Sequence, residues 1–160
     1  MIDPTTDPRA YRHALGRFAT GIALATTWDA KGQPQGVTIN SFSSVSLTPP
    51  LVLFSLGLDS RLLNPVLDQG GFGINVLGEE QRSWSERFAD EHADRHFSDL
   101  TLLPETRFPL IEGCLATFDC TLETRYEGGD HLILIGRVHQ ASMQEGQPLV
   151  YFSSRYAQLA

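Results

Sequence analysis

Positive charge is scarce in this chain. Lys and Arg together number 12 against 19 Asp and Glu, for a formal net charge of −7. That balance excludes the broad basic footprint of a nucleic-acid binder or of a protein docking on anionic membrane. Any anionic ligand must be held by local groups. Cysteine is nearly absent too, with only Cys114 and Cys120. Their stretch reads as one strand, and six residues of strand span roughly 20 Å, far beyond the reach of a disulfide. They read as reduced core residues, which fits a cytoplasmic chain. Two cysteines are also too few for a cysteine zinc site. No run of about 18 apolar residues occurs, so no membrane span is expected. The start, Met1-Ile2-Asp3-Pro4, has no basic patch and no apolar run, and no secretory leader is expected there. Also missing are a Gly-x-Gly-x-x-Gly between strand and helix, a P-loop, a serine-nucleophile elbow and a kinase motif.

What is present is an ordinary globular composition, 41% hydrophobic and 19% charged over 160 residues. One domain, residues 1–160, is expected, long enough to bury a core without metal or disulfide staples. Asp7-Pro8 starts a helix, with Asp as N-cap. Tyr11, Leu15 and Phe18 form its apolar face, and Gly21 ends it. Ile22–Trp28 and Gln35–Asn40 read as a hairpin around the turn Asp29-Ala30-Lys31-Gly32. Leu51–Leu56 reads as a strand buried on both faces. Ser60 caps a short helix carrying Leu62, Leu63, Val66 and Leu67, and Gly70-Gly71 breaks it. Phe72–Leu77 is a strand and Ser83–Phe88 a helix with Trp84 and Phe88 at i, i+4. Ala89–Pro109 reads as a charged, mobile loop.

Cys114–Tyr126 has the clearest period of two in the chain. Cys114, Ala116, Phe118, Cys120, Leu122 and Tyr126 fall on one face, with Thr117, Asp119, Thr121, Glu123 and Arg125 on the other. Gly128-Gly129-Asp130 turns the chain into His131–Met143, and Pro148–Ser153 adds a last strand. Roughly seven strands joined mostly by short turns predict a mainly β, antiparallel sheet that closes into a small barrel with a few short helices.

Four constellations could carry chemistry. Thr38-Ile39-Asn40-Ser41-Phe42-Ser43-Ser44-Val45-Ser46 is rich in hydroxyl and amide donors suited to phosphate or carbonyl groups. Taken alone, it reads more readily as a polar loop satisfied by its own backbone. Ser60-Arg61 opens the next helix, where free N–H groups and an arginine fork favour an anion. Taken alone, it reads more readily as a plain cap with a surface arginine. Together the two flank one buried strand, which is how phosphate could be held in an acidic protein. His131, first after a hairpin turn, can reach a cofactor or substrate carbonyl. His92 and His96 share a helical spacing, but no third ligand lies nearby, and no metal site is expected.

The order of motifs along the chain resembles a known family. They are Phe18-Ala19-Thr20-Gly21-Ile22-Ala23, Gly36 through Ser46, Pro49-Pro50-Leu51-Val52 and Ser60. Phe72 through Leu77, Gly129-Asp130-His131, Gly136-Arg137-Val138 and Pro148 through Phe152 follow. From about Tyr11 to Tyr156 the chain is similar to the flavin reductase-like family with the FMN-binding split-barrel fold, a Greek-key β-barrel. The resemblance implies a homodimer that reduces FMN or FAD with NADH or NADPH. It also implies a possible partner, a separate flavin-dependent monooxygenase. By position, Thr38, Asn40, Ser41 and Ser44, with Ile39 and Ser43 beside them, should contact the flavin. Ser55, Leu56, Ser60 and Arg61 should sit at its phosphate end. His131 should lie near the flavin ring and the nicotinamide, with Tyr151, Arg155 and Tyr156 as further candidates. Arg137 stands where the family commonly has a less basic residue. A flavin-binding electron carrier, a redox sensor, a ferric reductase and a pyridoxamine-phosphate-oxidase-like enzyme are alternative uses of such barrels.

Overall fold

The computed structural model describes residues 1–90 and 93–159. Asp7 caps α1 (Pro8–Leu15), its Oδ1 accepting from the Ala10 N–H at 2.9 Å. The helix stops at Gly16, not Gly21, because Thr20–Gly21 already forms strand β1. Phe18 lies past the helix end, and Tyr11, Leu15 and Phe18 are all exposed. The hairpin follows as β2 (Ala23–Trp28) and β3 (Pro34–Ile39), in register from Ala23↔Ile39 to Trp28↔Pro34. Asp29 shapes its turn by accepting from the Lys31 and Gln33 N–H groups, both at 2.8 Å.

Next come β4 (Ser43–Leu47), β5 (Pro50–Gly57), α2 (Leu63–Gln69) and β6 (Gly71–Val76). A 3₁₀ turn, Glu79–Gln81, leads into α3 (Arg82–Ala89). The long strands β7 (Ala116–Gly128) and β8 (His131–Met143) precede the short β9 (Val150–Phe152) and β10 (Arg155–Ala157). Two of these strands depart from the sequence expectation. The Ser43–Ser46 run expected as loop is β4, an exposed edge strand whose serines carry no hydrophobic period. The short return β10, bonded to β9, has no period long enough to detect.

Seven strands form one antiparallel sheet in the order β3-β2-β6-β7-β8-β5-β4, and β1-β9-β10 form a smaller one. The expected mainly β, antiparallel architecture is the one that forms. One core lies inside the curved sheet, where Phe54 of β5 meets Phe72 of β6 edge to face, ring centres 4.7 Å apart. A second core on the other side of β2 gathers Leu24, Leu77, Phe88, Ile111 and Leu149. Strands β2 and β6 are thus buried on both faces. In β5, expected to be so, only Val52, Phe54 and Leu56 are buried, alternating with half-exposed neighbours.

The polar face of β7 also departs from expectation. Thr117 and Asp119 are fully buried, although a solvent-facing side was expected. Thr117 Oγ1 pairs with Ser142 Oγ of β8 at 2.7 Å, whereas the segment after α3 covers Asp119. Phe108, Leu110 and Ile111 are buried there. The Ile111 N–H donates to Asn75 Oδ1 at 2.7 Å and the Arg107 N–H to Asp119 Oδ2 at 2.8 Å, while Thr26 Oγ1 donates to the Pro109 carbonyl. This half of the expected mobile loop is a packed plug, held by buried polar groups that find backbone partners. Arg137 forks onto Glu123 across the strands, at 2.8 and 2.6 Å. That bond holds the Glu123 carboxyl below its ordinary range. An exposed pair of this kind contributes little stability.

Cys114 and Cys120 are unpaired and buried, as expected, one in each core. Burial pushes both thiols up to about 12, with Glu80 and Asp119 respectively adding to the effect. Neither is a nucleophile at neutral pH.

Candidate active site

Strands β3 and β5 run out at one concavity, a cleft of about 650 Å³. Val37, Thr38, Ile39, Asn40 and Ser41 line one wall. Ser55, Leu56 and Gly57, then Asp59, Ser60 and Arg61, line the opposite one, and Ala89, Arg95 and His131 complete it. Ile39 belongs to the core while Asn40, one residue on, is exposed at the strand end. Thr38 Oγ1 donates to the Ser85 carbonyl of α3 at 2.6 Å. Ser41 Oγ accepts from the Ser55 N–H at 3.0 Å and donates to the Ser55 carbonyl at 3.2 Å. The two walls are thus stitched together by one hydroxyl, which fixes the cleft's width.

The turn Gly57–Arg61 differs from the helix start expected there. Helix α2 begins at Leu63, and its seven residues make a weak dipole. The N–H groups of Ser60, Leu62 and Leu63 bond within the turn, to the Gly57 carbonyl, Ser60 Oγ and the Ser60 carbonyl. Positive charge at this end of the cleft therefore comes from the side chains of Arg61 and Arg95. His131 opens β8 opposite Gly57, and the Leu58 N–H donates to the Asp130 carbonyl at 3.0 Å, joining the two turns. His131 Nδ1 lies 2.6 Å from Asp130 Oδ1. That hydrogen bond holds the Asp130 carboxyl below its ordinary range and orients the imidazole.

The cleft brings together Thr38, Ile39, Asn40, Ser41, Ser55, Leu56, Ser60, Arg61 and His131. Ser43 and Ser44 lie elsewhere, exposed on edge strand β4. Tyr151 lines a smaller cavity of about 200 Å³ that shares Thr38, Ile39, Asn40 and Ala89 with the main cleft. In that annex Tyr156 stacks edge-on against Tyr151, and its hydroxyl lies 2.9 Å from Ser85 Oγ. Arg155 lines a separate basic pocket with His13 and Arg17.

Sequence reasoning missed Val37, Gly57, Asp59, Ala89 and Arg95. Asp59 could have been found from its place in the turn beside Ser60, but no local pattern marks Arg95. Its segment is anchored by Arg87 of α3, which forks onto Asp99 at 2.6 and 2.7 Å. That bond draws the Asp99 carboxyl down to about 2. A carboxyl depressed on folding stabilises above its unfolded value, near 3.8, and loses that contribution as pH falls through about 2. Between those pH values, protease cleavage within residues 93–100 should rise in the wild type. An Asp99→Asn variant should be cleaved only modestly faster at neutral pH, because Asp99 is half-exposed and such pairs contribute little stability.

Among the described residues, no group of three or more His, Cys, Asp or Glu is placed to hold a metal. His92 of the spaced histidine pair lies outside the described residues. Among the described residues, no helix is long and apolar enough to cross a membrane.

Residues 15–160 match the family described as flavin reductase like domain. The chain belongs to the flavin reductase-like family. Among relatives in this family, a probable flavin reductase of Rhizobium meliloti is 45% identical over 138 residues, covering 86% of this chain but only 44% of that protein. The reductase subunit of a flavin-dependent monooxygenase of Rhodococcus jostii is 41% identical over 152 residues, covering 94% and 77% of the two chains. Among solved flavin reductases, an NADH:FAD oxidoreductase of Streptomyces globisporus, in complex with NAD and FAD fragments, superposes with a TM-score of 0.91. It is 33% identical and covers 100% of this chain and 96% of that one.

Proposed function

We propose that the chain is an NAD(P)H-dependent flavin reductase whose flavin, FMN or FAD, lies in the cleft between β3 and the turn Gly57–Arg61. The observation that carries this is the cleft itself, in a chain of this family. At about 650 Å³ it falls within the range of cofactor sites. It pairs an apolar floor, Val37, Ile39 and Leu56, with hydroxyl and amide groups on both walls and cationic side chains at one end. That set fits a flat ring, a polyol chain and a phosphate.

When bound, the flavin supplies the two-electron chemistry, accepting hydride from the reduced nicotinamide. The protein's part is orientation. Thr38, held by the Ser85 carbonyl, and Ser41, pinned to Ser55, keep the walls rigid before any ligand arrives. Arg61 neutralises phosphate. His131, steadied by Asp130, offers its Nε2 edge to the nicotinamide side. His131→Ala should lower kcat/KM for the nicotinamide donor by roughly 10-fold, on the scale of one lost polar contact, and spare flavin affinity. Complete loss of flavin binding in a folded variant would contradict this placement of His131.

The enzyme works as a homodimer, supported by the exposed apolar side chains of Tyr11, Leu15, Phe18 and Leu47. It passes reduced flavin to a separate flavin-dependent monooxygenase. The two unpaired thiols fit a cytoplasmic setting. The deciding assay follows NADH and NADPH oxidation with FMN, FAD and riboflavin. Flavin-dependent turnover is expected. Tight flavin binding without turnover would make the chain an electron carrier instead.

A further inference from the structure

The basic pocket at the end of α1 lies apart from the cleft. In the β9–β10 hairpin Tyr151 pairs with Tyr156 and Phe152 with Arg155, and successive side chains of a strand alternate between faces. The two tyrosines line the annex of the cleft, so Arg155 projects from the opposite face. There it lines a space of about 240 Å³ with His13, Arg17, Ser153 and Ser154. Among the described residues, none of the three basic side chains is paired with a carboxylate. Arg17 instead stands over the Phe152 ring, 6.0 Å from its centre.

The turn of this hairpin is unusual. Ser153 and Ser154 both have left-handed backbone, with φ of 50° and 62°, where a two-residue hairpin turn favours Asn and Gly. Serine at these positions brings two hydroxyls to the pocket. The Ser153 N–H donates to the Gly16 carbonyl at 2.8 Å, but the buried Ser153 Oγ has no partner among the described residues. A buried hydroxyl left unpaired is costly, and a ligand oxygen would remove that cost. The nearby C-terminal end of α1 carries at most roughly half a negative charge, against two full positive charges on the guanidiniums, so the pocket attracts anions. Two guanidinium forks, an imidazole and two hydroxyls are more donors than the two oxygens of a carboxylate can use. They suit the three terminal oxygens of a phosphate group. We propose that this pocket binds a phosphate group, as the free ion or as the end of a phosphate monoester, at a site separate from the flavin cleft.

The test titrates inorganic phosphate, phenyl phosphate and acetate into an Arg61→Ala protein, which removes an arginine of the main cleft. The same titrations are made with Arg17→Gln, Arg155→Gln or Ser153→Gly added. Phosphate should bind once per chain with a Kd below about 1 mM, and acetate at least about 10-fold more weakly. Tighter binding of phenyl phosphate would support a monoester as the occupant, and tighter binding of inorganic phosphate the free ion. Arg17→Gln and Arg155→Gln should each weaken phosphate by roughly 10-fold or more. A retained cooperative unfolding transition reports that each variant is folded. Ser153→Gly should raise the unfolding temperature, because glycine relieves the left-handed backbone, yet lower phosphate affinity severalfold. A serine with only a structural role would not separate stability from affinity in this way. A Kd above about 1 mM for both phosphates, acetate binding as tightly as phosphate, or phosphate affinity unchanged in either arginine variant would overturn the inference.

Discussion

Replacing Arg61 by alanine will weaken FMN binding by roughly 10- to 100-fold and leave riboflavin within about twofold, because a charge-assisted bond to phosphate is worth about 1.5–3 kcal/mol. The contrast between the ligands is what carries the test, since riboflavin presents the same ring and polyol without the phosphate. Local charge matters here because the whole chain is acidic, at −7, and repels an anion at long range. The turn amides of Ser60, Leu62 and Leu63 bond within the turn, so they offer little to replace the lost side chain. Arg61 is exposed and Arg95 lines the same cleft, which places the effect nearer the lower end of the range. Isothermal titration of both ligands into both proteins measures it. Equal weakening of FMN and riboflavin would move the phosphate away from Arg61.

The second large effect is on stability. Phe54→Ala should cost about 3–5 kcal/mol, the usual range for deleting a buried aromatic ring. Phe54 is fully buried at the centre of the larger core and packs edge to face on Phe72. The space around this pair is already close. A Cβ added at Gly136 would lie 2.4 Å from Phe72 Cζ and 3.0 Å from the Cys120 Cβ. A core so filled against strand backbone relaxes poorly into a cavity, which keeps the cost high. The next residue, Ser55, holds Ser41 across the cleft, so flavin affinity should fall along with stability. Urea unfolding reads the first effect and flavin titration the second. A loss below about 1 kcal/mol would mean that the site collapses freely, against this account of its packing.

How far the site could be read from sequence depended on whether its parts are local. Thr38–Ser41 and Ser60–Arg61 stand out as runs of donors within one stretch of chain, and both line the cleft. His131 stands out because a hairpin turn precedes it. Ser43 and Ser44 belong to the same donor run, yet the chain turns into edge strand β4 after Phe42 and carries them away from the cleft. Arg95 arrives from a segment with no periodicity, positioned by the Arg87–Asp99 fork and by the packing of Phe97 on Phe88, 4.8 Å between ring centres. Nothing in the residues around position 95 records those partners.

The same distinction holds for the fold. By itself the sequence determined an acidic, mainly antiparallel β chain, the helix cap at Asp7, the hairpin turn at Asp29, the β7–β8 turn before His131 and two inert buried thiols. These follow from turn chemistry, side-chain period and composition, all of which act over a few neighbours. Only the tertiary structure decided that β2 and β6, not β5, are buried on both faces and that residues 107–111 form a plug over Asn75 and Asp119. It alone set two arginines, 34 positions apart in the chain, around adjoining cavities. Burial, plugging and convergence are set by which distant segments meet, and no local pattern of residue types carries that information.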